Sequence, residues 1–386
     1  MSYLVADEYR RIVQESIAND FDDNYDYHRF GAVPQHSRQA KPKLSVLGII
    51  KTARKMISIG LLKLSLNQSA KMTEAEIIKA AENWLNPNIE RFQWLCDRLE
   101  DQNSKELLIL ILAYRALGYR RVKLPLNTPF YWETYAQLAA LAQGAETINL
   151  GFMGWQAYRL RLDDYGYPIE LFVRPGGVMN QMLLQQYRCL TDDNVIEVSK
   201  GDTVIDAGGC YGDTALYFAH KAGETGQIYS SEFMPDNLEI FNQNLALNPN
   251  YAKHIKLIRQ PLWSTTGENM FIEGDGPATR IKVYSDDPVA QQIKTICIDD
   301  LAEQEKLQRL DFIKMDIEGS ELAALQGAEQ SIRRFRPILA ISVYHQLQDF
   351  WEIPQWIAGL NQGYRFYLRH FTIHQEETIL FARADK

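Results

Sequence analysis

GDTVIDAGGCYGDTALYFA, Gly201 to Ala219, is the stretch whose reading decides the fold. Val204 to Asp206 read as a short buried strand, Gly208, Gly209 and Gly212 as a glycine-rich turn, and Ala215, Leu216, Phe218 and Ala219 as the apolar side of the helix that follows. A strand ending in a carboxylate, then glycines that admit a ligand to the backbone, then a helix N-terminus with free N–H groups, is a cradle for a nucleotide-type ligand. Spacing removes two such ligands. A dinucleotide G-x-G-x-x-G begun at Gly208 needs glycines where Cys210 and Asp213 stand, and the phosphate loop needs a lysine where Asp213 follows Gly212.

Working outward, strands and helices alternate from Val195 onward. The expected order is Thr203–Asp206, a helix, Gly226–Ser230, a helix through Leu247, Ile255–Ile258, Lys294–Ile298, Asp311–Met315, a helix over Leu322–Arg334, Ile338–Val343 and a helix around Trp351–Leu360. That alternation predicts a mostly parallel sheet covered by helices on both faces. Arg365–Phe371 and Thr378–Ala382 are β-rich runs joined by a polar turn, so the chain should close with an antiparallel hairpin.

The first half reads differently. Ala6–Ile17 suits a helix, and Asn19–Tyr27 an acidic loop. From Arg29 to Thr73 there is no acidic residue, and Lys51, Arg54 and Lys55 fall on one side of an apolar helix over residues 44–66. Such a helix can lie on an anionic membrane surface, but packing on the rest of the domain is the favoured reading. Thr73 and Glu76 form a capping box for a helix through Trp84, ended by Asn86-Pro87. Ile89–Leu99, Lys105–Leu117 (closed by Gly118) and Phe130–Ala142 are further helices, and Arg121–Leu126 is a strand candidate. Tyr158, Leu160 and Leu162, then Ile169, Leu171 and Val173, alternate around Asp163–Gly166 as a hairpin does. The boundaries drawn are 1–72 for a basic helical extension, 73–178 for a helical domain with a hairpin, and 179–386 for the alternating α/β domain. The first half should cover the cofactor crevice or touch the acceptor, with Tyr131, Trp132 and Trp155 as candidates.

The 386 residues carry a formal charge of −8, which disfavours a nucleic-acid partner. Cys96, Cys189, Cys210 and Cys297 are scattered without a C-x-x-C pair, as expected in a reducing compartment. The N-terminus lacks a signal-peptide pattern and no apolar run reaches spanning length, so a cytoplasmic location is expected. The oligomeric state is open.

The acid-x-Gly-x-x-x-Gly turn resembles motif I of class I S-adenosylmethionine (SAM) methyltransferases. VIDAGGCYGDT, YSSEFMPDN followed by NQNLALN, LDFIKMDIEGSELAALQGA and FRPILAISVYH together resemble the FkbM type of that class, from about Gln185 to the C-terminus. The D-x-E-G-x-E element, Asp316 to Glu321, is the specific part, and Cys210 departs from the wider class, which often has glycine there. The resemblance implies an α/β fold of Rossmann-like class I type, a mostly parallel seven-stranded sheet with a terminal antiparallel hairpin, after a mainly helical N-terminal region. It implies SAM as cofactor and methyl transfer, most simply to a hydroxyl of a small molecule such as a sugar, glycan or secondary metabolite. The alternatives are N-methylation of another acceptor, whose adenine-type enzymes carry a D/N-P-P-Y/F-like element where this chain has MDIEG, and a SAM-binding module without catalysis.

The resemblance places Gly208 and Gly212 beneath the cofactor and Asp206 on loop N–H groups or the cofactor's ammonium. Asp213 and Thr214 fall where a helix N-terminus faces a carboxylate. Glu232, closing the second strand, is placed to accept both ribose hydroxyls, and Gln260, with the residues to Trp263, to line the adenine. For the chemistry, Asp316 ends the fourth strand beside the methyl position, Glu318 can face the same space, and His345, beside Tyr344, is the expected general base. Glu321 is divided between catalysis and complementing a helix dipole. Asp316, Glu318 and His345 could instead gather magnesium or manganese, ranked below direct base catalysis. His370 and His374 have the spacing of a helical metal pair but fall in the hairpin without the Glu of H-E-x-x-H, so a surface or packing role is expected.

Overall fold

The computed structural model describes residues 4–21, 24, 72–152, 154–192, 194–274, 276–286 and 290–385. The basic helix expected over residues 44–66, and most of the acidic loop before it, lie outside the described residues. The chain divides into two compact units, one made of 1–93, 108–127 and 373–375, the other of 94–107, 128–372 and 376–386.

In the first unit, Val5–Ser16 and Glu74–Leu85 are helices. Val5, Tyr9 and Val13 recur every fourth residue and are buried, as are Ile77, Ala81 and Leu85 of the second helix. The Tyr9 hydroxyl donates to the Ala81 carbonyl at 3.0 Å. The capping box forms as expected, with the Thr73 side chain accepting from Glu76 N and Glu76 accepting from Thr73 N. Arg121–Leu126 is not a strand: Val122 N turns back to the Gly118 carbonyl, Asn24 Nδ2 donates to Tyr119 O, and Pro125 has no N–H to give a ladder.

The second unit is built on a seven-stranded sheet. Its strands in chain order are β1 (Thr203–Ala207), β2 (Gln227–Ser231), β3 (Ile255–Ile258), β4 (Phe312–Met315), β5 (Ile338–Ser342), β6 (Tyr364–His370) and β7 (Thr378–Ala384). They lie in the order β6-β7-β5-β4-β1-β2-β3, with β1 to β5 mutually parallel and β7 antiparallel to both β5 and β6. Every residue of β1 and of β4 is buried, which is why these strands read as continuous apolar runs. Strand order reverses between β1 and β4, and an open α/β sheet binds its ligand beyond the strand ends at such a point.

Three expectations change here. Lys294–Ile298 is not a sheet strand. Gln292–Lys294 pairs with Asn269–Glu273, which also pairs with Arg280–Lys282 in a separate three-stranded sheet, and a helix begins at Ile298 because the Cys297 sulfur caps Asp300 N. The helix over Leu322–Arg334 is two, Glu321–Gln326 and Glu329–Phe335. A Cβ on Gly327, between them, would meet the Trp263 carbonyl at 2.1 Å, so the chain passes too close there for a regular helix with side chains.

The third change is the boundary at 178/179, because the hairpin groups with the sheet unit. Its strands Gln156–Arg161 and Glu170–Val173 pair as expected, and Thr147–Asn149 adds a third that the sequence had not suggested. The free edge of Glu170–Val173 is closed by side chains of the helix Pro235–Leu247 and its C-cap. Asn244 accepts from Phe172 N at 2.7 Å and donates to Phe172 O at 3.1 Å, and Asn248 does the same for Glu170 at 3.1 and 2.6 Å. Two amides thus stand in for a neighbouring strand.

Candidate active site

The C-terminal ends of β1, β2 and β4 open on a cleft of about 550 Å³, counting space shared with solvent. Gly208, Cys210, Glu232, Leu262, Asp316 and Glu318 are among the residues that line it.

Asp206 sits under the cleft, fully buried. The register pairs Asp206 with Lys314 on the neighbouring strand β4, and adjacent residues in register point to the same face of a sheet. The Lys314 ammonium lies 3.0 Å from Asp206 Oδ1, while the Thr214 and Ser230 hydroxyls donate to Oδ2 at 2.9 and 2.7 Å. Lys314 also donates to the carbonyls of Ala207 and Gly208, at 3.0 and 2.6 Å. Burial alone would depress this ammonium, but Asp206, then Asp316 and Asp213, hold it above the ordinary lysine range. Asp206 therefore fixes the turn through side chains rather than through loop N–H groups.

The turn is held just as tightly. Gly208 has φ +85°, and a Cβ there would stand 2.0 Å from the Asp316 carbonyl. A Cβ on Gly212, at φ +81°, would stand 3.0 Å from the Phe241 ring, so packing inside the protein favours this glycine. Cys210 takes φ 44°, the left-handed conformation that glycine adopts without strain. Asp213 and Thr214 are buried at the helix start and do not line the cleft; Asp213 accepts from Thr214 N, and burial raises its pKa. Gln260 turns its amide to the Thr295 carbonyl, and Pro261 and Leu262 line the cleft instead.

Glu232, just after β2, lines the cleft. Its Oε1 accepts from Phe233 N and Met234 N at 2.6 and 2.8 Å and its Oε2 from Asn237 Nδ2 at 3.1 Å, which fixes a carboxylate aimed along the cleft wall. Burial raises its pKa against the opposing pull of those donors.

At the other wall, β4 ends in Asp316 and the chain turns through Glu318, itself at φ 55°. His345 follows β5 and its side chain is 7% exposed. Its Nδ1 lies 3.0 Å from Glu321 Oε1, and its Nε2 3.4 Å from Asp316 Oδ1 and 3.7 Å from Glu318 Oε1. The Tyr344 hydroxyl donates to Asp316 Oδ1 at 3.0 Å. Sequence reasoning had brought Asp316, Glu318 and His345 together, and so does the structure. Burial disfavours charge on His345, but Glu321, then Asp316 and Glu318, outweigh it and carry the ring up to about 10. These carboxylates favour the protonated ring, whereas a general base must start neutral. Glu318 is pushed by burial, and further by Asp316 and Glu321, up to about 7. Glu321 has a definite place: 1% exposed, it accepts from Ile317 N at 2.8 Å and braces His345.

The other candidates fall away from the cleft. His370 bonds Thr378 Oγ1 through Nδ1 at 2.9 Å inside the hairpin, a packing role, and His374 belongs to the other unit. Tyr131 packs against Trp132 and Tyr135, and Trp155 lies under the Arg174 guanidinium.

A family model described as the methyltransferase FkbM domain matches residues 206–366, the span from the end of β1 into β6. Residues 206–366 are thus similar to an FkbM methyltransferase domain. Among solved structures, it is similar to methyltransferase FkbM from Methylobacillus flagellatus KT at 22% identity and TM-score 0.49, over 79% of this chain and 61% of that one. It is also similar to an O-methyltransferase from Bacillus cereus in complex with SAH (12%, TM-score 0.34, 54% of this chain and 80% of that one). Aeropyrum pernix fibrillarin with bound S-adenosyl-L-methionine matches at 12%, TM-score 0.33, over 62% and 83%. No curated protein matches. Among the described residues no helix is long and apolar enough to cross a membrane.

Proposed function

We propose that this FkbM-like domain moves the methyl group of SAM to a hydroxyl oxygen of a small molecule. The observation that carries the reading is that Asp316 and Glu318 line the same cleft as Gly208 and Glu232, so acidic groups stand beside a seat suited to an adenosyl ligand. The seat fits: a fixed carboxylate is set to accept ribose hydroxyls, apolar Leu262 and Ile281 are set for a base, and Gly208 brings backbone to the surface. SAM, when bound, supplies an electrophilic methyl on a sulfonium. The chain's part is to hold the acceptor oxygen in line with that carbon, from which much of the rate should come. The oxygen's lone pair forms the new O–C bond, the pair of the breaking C–S bond stays on sulfur, and the hydroxyl proton must leave because a protonated aliphatic oxygen is a poor nucleophile. Asp316, Glu318 and His345 surround the place where that proton is given up. The charge of −8 supports a small-molecule acceptor over nucleic acid, and the four free cysteines fit a cytoplasmic location.

The test is transfer from methyl-labelled SAM to a panel of sugars, glycans and secondary metabolites with free hydroxyls. Asp316→Asn and His345→Ala should each lower turnover by roughly 10²-fold or more while SAM still binds. Near-normal turnover in both, or label found only on nitrogen, overturns the proposal.

A further inference from the structure

The acid cluster at the mouth of β4 contains more ligand atoms than partners. Among the described residues, Asp316, Glu321 and His345 each offer one ligand atom, all within 4.8 Å of one another. Neither ring nitrogen of His345 makes a hydrogen bond of good geometry although its side chain is only 7% exposed, and Glu321 Oε2 makes none at 1% exposure. Buried polar atoms are nearly always partnered, so an orphan on each of two adjoining side chains points to a group that completes them. Glu321 Oε1 lies 3.0 Å from Nδ1 behind the ring, and Nε2 lies 3.4 Å from Asp316 Oδ1 and 3.7 Å from Glu318 Oε1.

We propose that His345 Nε2, Asp316 and Glu318 hold one divalent cation, with Glu321 as the carboxylate that orients the imidazole. Neighbouring ligands at right angles, each about 2.1 Å from a cation, stand about 3 Å apart, against 3.4 and 3.7 Å from Nε2 to Asp316 and Glu318. A carboxylate on the far nitrogen is the usual second partner of a metal-binding histidine, and it fixes the tautomer that leaves Nε2 free to ligate. Charge points the same way. Three carboxylates converge on one imidazole, and a dipositive ion at Nε2 would replace a ring proton in offsetting their charge. One imidazole among carboxylate oxygens suits manganese or magnesium, and the open cleft side leaves room for water or an acceptor oxygen. This rests on the reading of the cleft as a hydroxyl methyltransferase site and names how the acceptor is activated there: a bound cation favours loss of the hydroxyl proton to solvent.

The experiment is a Mn²⁺ titration of the whole chain, read by the electron paramagnetic resonance signal of free Mn²⁺, without SAM or acceptor. One saturable Mn²⁺ per chain is expected. Glu321→Gln should weaken it by about 10–100-fold, as loss of an orienting partner does, and Asp316→Asn and His345→Gln by more. Circular dichroism confirms that each variant is folded, and either ligand variant suffices if the other is not. No saturable uptake, or equal affinity in folded Asp316→Asn or His345→Gln, overturns the site in favour of a protonated imidazole between the carboxylates. Chelator-treated protein should lose methyl transfer and regain it with added Mn²⁺ or Mg²⁺. Transfer that survives without metal overturns the cation alone, and Mn²⁺ binding without transfer to any hydroxyl overturns the acceptor reading alone.

Discussion

Lys314→Met isolates the ion pair beneath the glycine turn. Methionine keeps the length and the apolar stem, so the change removes a charge at 1% exposure without leaving a large cavity. Asp206, fully buried, is left without its counter-ion but keeps the hydroxyls of Thr214 and Ser230, and the Ala207 carbonyl keeps Asp316 N. Breaking one side of a buried pair costs about 3–5 kcal/mol. With two donors still on the carboxylate, the lower end, about 3 kcal/mol, is expected, a large part of the roughly 5–15 kcal/mol that holds a domain folded. Urea unfolding at pH 7 reads the loss, and an unchanged m-value shows that the same surface is exposed. The double variant Asp206→Asn/Lys314→Met should regain most of it, because a neutral amide can still accept both hydroxyls and no uncompensated charge remains. A single-variant loss below about 1 kcal/mol, the scale of a surface pair, would refute the claim that this charge is buried and paired.

Glu232→Ala should weaken SAM binding by about 1–3 kcal/mol, the usual effect of losing a charged hydrogen-bond partner; calorimetry showing unchanged affinity would remove Glu232 from the ribose site. Gly212→Ala should destabilise the fold by about 1–2 kcal/mol, the strain of a left-handed residue with a side chain, and a neutral result in urea would mean that the turn can relax away from Phe241. Asn244→Ala strips the partners from Phe172 N and O and should lose about 1–3 kcal/mol for each group left bare; an unchanged melting temperature argues against the edge-closing role. Asp101, against Arg369, keeps a pKa below 3.8: burial opposes its charge, but Arg369 and Ser104 prevail. A depressed carboxylate stabilises above its unfolded pKa and loses that contribution as pH falls through the folded one. The stability gap between wild type and Asp101→Asn should therefore be full at pH 6 and close below pH 3.8; a gap independent of pH would show that charge plays no part.

What could be read in the chain was whatever the chain encodes locally. β1, the turn after it and the Thr73 capping box are set by neighbours within a few residues, and each forms where expected. The cluster of Asp316, Glu318 and His345 was legible for another reason. Parallel strands place all their C-terminal ends on one edge, so acids after β4 and a histidine after β5 must meet once the alternation is recognised. What stayed hidden depends on register and approach. Lys314 is a lone cation in the apolar run FIKM, and only the pairing of β4 with β1 shows that Asp206 is its partner. That carboxylate is committed to side chains beneath the turn, while Gly208 lines the cleft. Lys294–Ile298 has a strand's composition, yet the Cys297 cap sends the chain into a helix. Asn244 and Asn248 look like polar surface of a helix until a strand edge arrives that needs both their donors and their acceptors.

Glu321 shows why two sound readings of one residue can both miss its role. In the first turn of a helix, a carboxylate complements the dipole from the surface; as a catalytic acid, it faces the ligand. Here it stands in that first turn but is buried, and it is not among the residues lining the cleft. Its side chain is 1% exposed, one oxygen takes the Ile317 N–H and lies against the ring of His345, and the other has no hydrogen bond. A charge kept that far from water is stable only beside an opposite charge. The group against it is His345, which can carry an opposite charge as a proton on its ring or as a cation bound at its far nitrogen. Those two states share the same protein contacts and differ in one countable property, the bound Mn²⁺, which is why the titration decides between them where the shape of the site does not.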